Sequence, residues 1–201
     1  WHTMPEDEPG QAARLSMNAM QGTFFAPNLI LLSTALPDAV LDEVIAHARK
    51  HHLGAILYLP EAETERFVAP DQVVVWISDR SPEWELGLKV ANLDLPILLS
   101  YLLTRPTEGH MRLTTVIRDA AQTDNAARFL GDVVELGRLR NAETLVVDGD
   151  FREAVGRAPD HAVHLFGLPQ SIDSDALREL ASTAGGSCLF VLDSGQESAL
   201  A

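Results

Sequence analysis

The chain has 201 residues, 46% of them hydrophobic and 22% charged, with Lys+Arg 15 against Asp+Glu 29 and a formal net charge of -14. This is a globular composition, long enough for one large domain or two small ones with a real core, and it excludes wholesale disorder. The acidic balance repels phosphate backbones and anionic headgroups, so it argues against nucleic acid as a partner and against a lipid-binding patch.

A single cysteine, Cys188, cannot form an internal disulfide or a thiolate metal cage. The longest apolar stretch, Leu93 to Leu103, is interrupted by Asp94, Pro96 and Ser100. It falls short of the roughly 18 apolar residues that a membrane helix needs. A first residue Trp1, in place of Met, reads as a fragment or a processed product.

Residues 1–22 read as an acidic linker or tail. Pro5-Glu6-Asp7-Glu8-Pro9-Gly10 has no apolar period, and Met17 and Met20 are its docking side chains. The folded part is expected over 23–201. Leu29 to Leu32 is apolar on both faces, as a central parallel strand requires. Pro37 and Asp38 start a helix whose Leu41, Val44, Ile45 and Ala48 form one stripe, and Gly54 is the expected stop. Ala55 to Leu59 and Val73 to Ile77 are the next strands, separated by an acidic loop over 61–70. Trp84, Leu86 and Leu88 open an amphipathic stretch. Asp94 then caps a helix with Ile97, Leu98, Tyr101 and Leu102 as its apolar face. Leu113 to Ile117 is a strand, followed by a helix capped by Thr123 or Asp124, with Ala126, Phe129, Leu130, Val133 and Val134 in its stripe. Strands over Leu145 to Val147 and Val163 to Phe166, a helix from Ser174 ended by Gly185, and a strand over Leu189 to Leu192 complete the chain.

Strand–helix–strand alternation with short links predicts an α/β fold, a doubly wound and mostly parallel sheet flanked by helices. Residues 28–59 and 161–192 echo one another: strand, Leu-Pro, Asp, helix, Gly, strand. The echo reads either as two related halves or as the ordinary likeness of two βαβ units.

No phosphate-binding glycine loop, no G-x-S-x-G elbow and no H-E-x-x-H occur. His47 and His51 share a helical face, but no nearby acid or thiol completes a metal set. Asp79, Asp148, Asp150 and Asp193 lie just past strands, where ligands of such sheets bind, yet Asp is also a common cap and turn residue. Cys188, at the start of an apolar strand, reads as an inert buried thiol. The expectation is no enzyme: no catalytic, cofactor-binding or metal residues, no cofactor and no small-molecule substrate.

Several segments together resemble one family. Pro27-Asn28-Leu29-Ile30-Leu31-Leu32, Trp84-Glu85-Leu86-Gly87, and Asn92-Leu93-Asp94-Leu95-Pro96-Ile97-Leu98-Leu99-Ser100-Tyr101 are similar to segments of prokaryotic cation–chloride cotransporter cytosolic domains. So are Arg112 to Val116, Ala127 to Leu139 and the ending Cys188 to Ala201. The resemblance covers residues 24–201 and rests on order and spacing. It implies a universal-stress-protein-like fold, with halves meeting near 106–110 or 149–160. It implies a regulatory and dimerisation domain on the cytoplasmic side of a membrane symporter that moves Na⁺ or K⁺ together with Cl⁻. The partners it implies are a second copy and the transporter's own membrane domain. The candidate interface is the Trp84–Leu103 stretch, with Trp84, Leu88, Ile97 and Tyr101 as its residues. The alternative is a universal-stress-protein-like nucleotide-binding module, against which Phe166-Gly167-Leu168-Pro169-Gln170-Ser171 carries too little glycine.

Overall fold

The computed structural model describes residues 9–20, 27–61, 69–81, 83–85, 93–139 and 141–199. Helix α1 (Pro9–Met20), strand β1 (Leu29–Ser33), helix α2 (Asp38–Lys50) and strands β2 (Gly54–Leu59) and β3 (Gln72–Ile77) come first. Helix α3 (Asp94–Thr104), strand β4 (His110–Ile117), helix α4 (Thr123–Leu136), strand β5 (Ala142–Asp148) and helix α5 (Phe151–Gly156) follow. Strand β6 (Val163–Gly167), helix α6 (Ser174–Ala184) and strand β7 (Cys188–Leu192) end the fold.

The strands form one sheet in the order β1-β2-β7-β6-β3-β4-β5. Every neighbouring pair is parallel except β2 and β7, which run antiparallel. From β3 the chain steps outward through β4 to β5, then returns to the other side of β3 through β6 and β7. Right-handed crossovers place the helices of the outward steps on one face and those of the return on the other. The packing follows that rule. Leu95 and Ile97 of α3 and Phe129, Leu130 and Val133 of α4 pack with Val73, Val75 and Ile77. Val155 of α5 and Leu177 of α6 pack on the opposite face with Val74 and Trp76, alternating along β3 as a strand must. The winding direction therefore reverses between β3 and β6.

The expected α/β class, the mostly parallel sheet and most elements are as read. Four of the differences bear on packing. Strand β1 is an edge strand, and Leu31 is 69% exposed. An apolar run marks a buried strand only if neighbours cover it, and β1 has a strand on one side alone. Helix α1 stands where a linker was expected. Ala13 and Met17, one turn apart, form a short stripe that packs on Val44, Ala48 and Leu53 of the α2 region. Helix α5 was not expected; Asp150 starts it by accepting from the backbone N–H of Arg152 and Glu153. Gly54 does not stop α2. His52 takes the left-handed turn at φ 53, while Gly54 opens β2 where a Cβ would meet Leu29 and Leu95 at 3.0 Å.

The echoing segments lie side by side. Units β1-α2-β2 and β6-α6-β7 meet across the antiparallel β2–β7 pair, in which Leu57 faces Phe190. Leu57 and Phe190 are also equivalent positions of the echo, so a local two-fold runs between the units. Two arginines tie the units together: Arg49 of α2 donates to the carbonyls of Pro169 and Gln170, and Arg178 of α6 donates to that of Thr34.

Candidate functional site

Within the Trp84–Leu103 stretch expected to form an interface, helix α3 has a buried side and an exposed side. Helix α3 carries more apolar residues than one face can bury. Ile97 is 1% exposed and packs into the sheet core. Trp84 is half-buried, with its ring edge-on to Phe129 at 5.7 Å. Leu88 lies outside the described residues. Tyr101 is 51% exposed and Leu102 is 59% exposed. Leu98, Leu102 and Arg105 recur at helical spacing, and with Tyr101 they form one outward strip beside Leu98, which is half-buried. The buried side of α3 is instead completed by Ser100, which donates to the carbonyl of Ile97, and Thr104, which donates to that of Ser100. These hydroxyls bond back to the helix itself, which lets polar residues occupy an apolar face and hides the stripe from a hydropathy reading.

The start of α3 is tied to the chain's end. Asp193 accepts from the N–H of Leu95, and buried Asp94 accepts from that of Ala199. Burial, then the hydrogen bond with Glu197, pushes the Asp193 carboxyl up to about 6. This residue is a clamp on the helix N-terminus.

At the reversal between β3 and β6, a crevice of about 670 Å³ opens at the carboxyl ends of the strands, where such sheets bind ligands. Trp76, Phe151 and Phe166 form its apolar wall, and Asp79, Arg118 and Asp150 its polar rim. Both carboxylates already have backbone work. Asp79 accepts from the N–H of Ser81, and bonds to Ser81 and the proximity of Arg118 hold its carboxyl below the usual range. Asp150 is the α5 cap. Arg118 escaped the sequence reading, although a lone basic residue just past a strand is the same signal that marked Asp79. Among the described residues, no group of three His, Cys, Asp or Glu is placed to hold a metal ion. The His47 and His51 rings lie tilted at 42° with centroids 4.3 Å apart, and His47 is bonded to Asn18 of α1.

Beneath the crevice, His164 is fully buried in an aromatic stack with Trp76 and Phe166, at centroid distances of 6.2 and 6.1 Å. Its Nδ1 accepts from Trp76 Nε1 at 3.1 Å. Its Nε2 sits toward the Ala184 backbone without a hydrogen bond of full geometry. Burial pushes the imidazole down to about 4, so the ring is neutral. Cys188 is buried and its thiol is pushed up to about 12, which removes it as a nucleophile.

Among the described residues no helix is long and apolar enough to cross a membrane. No curated protein sequence matches the chain. A solved structure described as the cytoplasmic domain of a prokaryotic cation chloride cotransporter aligns with TM-score 0.81 at 28% identity, covering 94% of this chain and 73% of that one. A universal stress protein from Archaeoglobus fulgidus DSM 4304 aligns with TM-score 0.49 at 11% identity, over 89% of this chain and 64% of that one. The family described as prokaryotic cation-chloride cotransporter, C-terminal domain, 1st, matches residues 1–65. Its counterpart, C-terminal domain, 2nd, matches residues 70–200. With most of its length matched in this order, the chain belongs to the family of C-terminal domains of prokaryotic cation–chloride cotransporters.

Proposed function

We propose that the chain is the cytosolic regulatory and assembly domain of a membrane symporter that moves Na⁺ or K⁺ together with Cl⁻. The observation that carries this reading is the pair of family matches, in order, over 1–65 and 70–200. That the solved relative is a cytoplasmic domain supports the cytosolic side. The outer strip of α3 supports assembly: Tyr101 and Leu102 are apolar, exposed and not needed for the domain's own core. A two-fold dimer through this strip brings like residues of the two copies near each other. Trp84 and Ile97 then act from below, fixing the helix, and the partner in the intact transporter is its own membrane domain.

Light scattering over a wide concentration range tests the assembly. A dimer is expected, and Tyr101→Asp with Leu102→Asp shifts it to monomer, because an isologous contact doubles each introduced charge. A wild-type chain that stays monomeric at the highest concentration overturns this role. A chloride flux assay on the intact transporter, with Na⁺ or K⁺ withdrawn in turn, tests the ion coupling.

The crevice at the sheet reversal favours a second reading, a nucleotide-binding module. Its rim carboxylates, Asp79 and Asp150, oppose a polyphosphate. Calorimetric titration with ATP and Mg²⁺ separates the two, and an affinity weaker than about millimolar removes the module.

A further inference from the structure

A second, smaller cavity lies on the α5 face of the sheet, apart from the crevice and from α3. It measures about 210 Å³. Its floor comes from three adjacent strands: Val74 and Trp76 of β3, Thr114 of β4, and Leu145 and Val147 of β5. These residues alternate along their strands, so their side chains share one face. Ala154 of α5 and Pro159 close it from above. Helix α5 has six residues, too short to cover both β4 and β5, and Leu145 remains 41% exposed at the mouth.

One atom in this floor is out of keeping with the rest. Thr114 is fully buried, and its hydroxyl has no hydrogen-bond partner. The neighbouring Thr115, on the other face, donates to the carbonyl of Ile77 at 2.9 Å. A strand threonine can therefore find a partner in this sheet, and Thr114 does not. A buried hydroxyl left unbonded costs free energy that valine, of nearly the same shape, would not. The polar residues at the mouth are already matched: Arg112 pairs with Glu143 and Arg157 with Glu153, each at 3.0 Å. The mouth thus carries no net charge to draw an ion in.

We infer that this cavity is a binding site for a small uncharged ligand with an aromatic or branched apolar body and one hydroxyl or carbonyl group, which bonds to the Thr114 hydroxyl. The size is set by the volume. An apolar cavity of about 150 Å³ takes up benzene, so 210 Å³ holds a body about the size of a cresol. The polarity is set by Thr114, the single unsatisfied group in an apolar floor. Phosphates and polyanions are excluded because both arginines are engaged. This site is independent of the assembly role.

The test uses p-cresol and toluene as probes, titrated into the full 201-residue chain and followed by backbone amide shifts in NMR. The expected result is saturable shifts at Thr114, Leu145 and Ala154, with p-cresol binding about fivefold more tightly than toluene, the yield of one net hydrogen bond. Thr114→Val removes only the hydroxyl. It is expected to abolish the preference while leaving toluene affinity within about twofold. Leu145→Trp, at a partly exposed position that tolerates bulk, fills the mouth and is expected to abolish binding of both. Equal affinity for the two probes in the wild type overturns the inference, as does shift saturation confined to the crevice residues. Probe binding that is lost as protein concentration rises would assign the cavity to a second copy, and would overturn it equally.

Discussion

His164 makes the sharpest prediction. Its ordinary value of 6.5 falls to about 4 in the fold. Between those values the unfolded chain binds a proton that the folded chain refuses, so stability rises with pH across this window and is lost as pH falls toward about 4. Integrating that difference, the fold loses about 1 kcal/mol by about pH 5.5 and between about 2 and 3 kcal/mol by about pH 4.5, relative to neutral pH. Geometry points the same way. A second proton on the ring would sit on Nδ1, the atom that accepts from Trp76 Nε1, and would break that bond inside the aromatic stack. The assay is equilibrium urea unfolding at several pH values, for the wild type and for His164→Phe. The variant leaves Trp76 without its acceptor and is less stable at neutral pH, but its acid-side loss should be shallower by the amounts above. Parallel pH profiles for the two chains would refute a neutral buried imidazole.

Three further outcomes follow from the same fold. Thr114→Val in the ligand-free chain should be stabilising by about 1 to 3 kcal/mol, because it removes an unbonded buried hydroxyl; a lower thermal midpoint would show that the hydroxyl has a partner after all. Gly186→Ala should cost about 3 kcal/mol, since the new methyl would stand 2.1 Å from the Ala162 carbonyl oxygen, a backbone atom that cannot give way; a loss below about 1 kcal/mol in urea midpoint measurements would contradict that contact. Asp193 holds a proton in the fold up to about pH 6, so its contribution is present at low pH and is lost as pH rises through that value. Asp193→Asn should therefore raise the thermal midpoint at neutral pH and lose its advantage near pH 5, and a pH-independent difference would rule out the shared proton.

The residues of α2 and α4 show what the sequence by itself determined. Leu41, Val44, Ile45 and Ala48, and likewise Ala126, Phe129, Leu130 and Val133, are all buried as their spacing requires. A helical period is a local property, written in a dozen consecutive residues, and alternation of such helices with apolar strands is enough to predict a parallel α/β sheet. Asp173 and Gly185, which bracket α6, are local in the same sense. The family resemblance also lay in local segments and their order.

What the tertiary structure decided is everything that depends on which neighbour a segment meets. Leu29 to Leu32 reads as a central strand, but strand order put β1 at an edge and left Leu31 in solvent. All of Ile97, Leu98, Tyr101 and Leu102 look inward on hydropathy, yet one sheet covers one side of α3. The hydroxyls of Ser100 and Thr104, bonded to their own helix, took places on the covered side and left Tyr101 and Leu102 outside. The antiparallel junction of β2 with β7 is set by pairing across most of the chain, and no local pattern encodes it. Likewise, Thr114 and Thr115 are adjacent and identical in sequence. Only the fold gives one of them a carbonyl and the other an apolar cavity, because a strand turns neighbouring side chains to opposite faces.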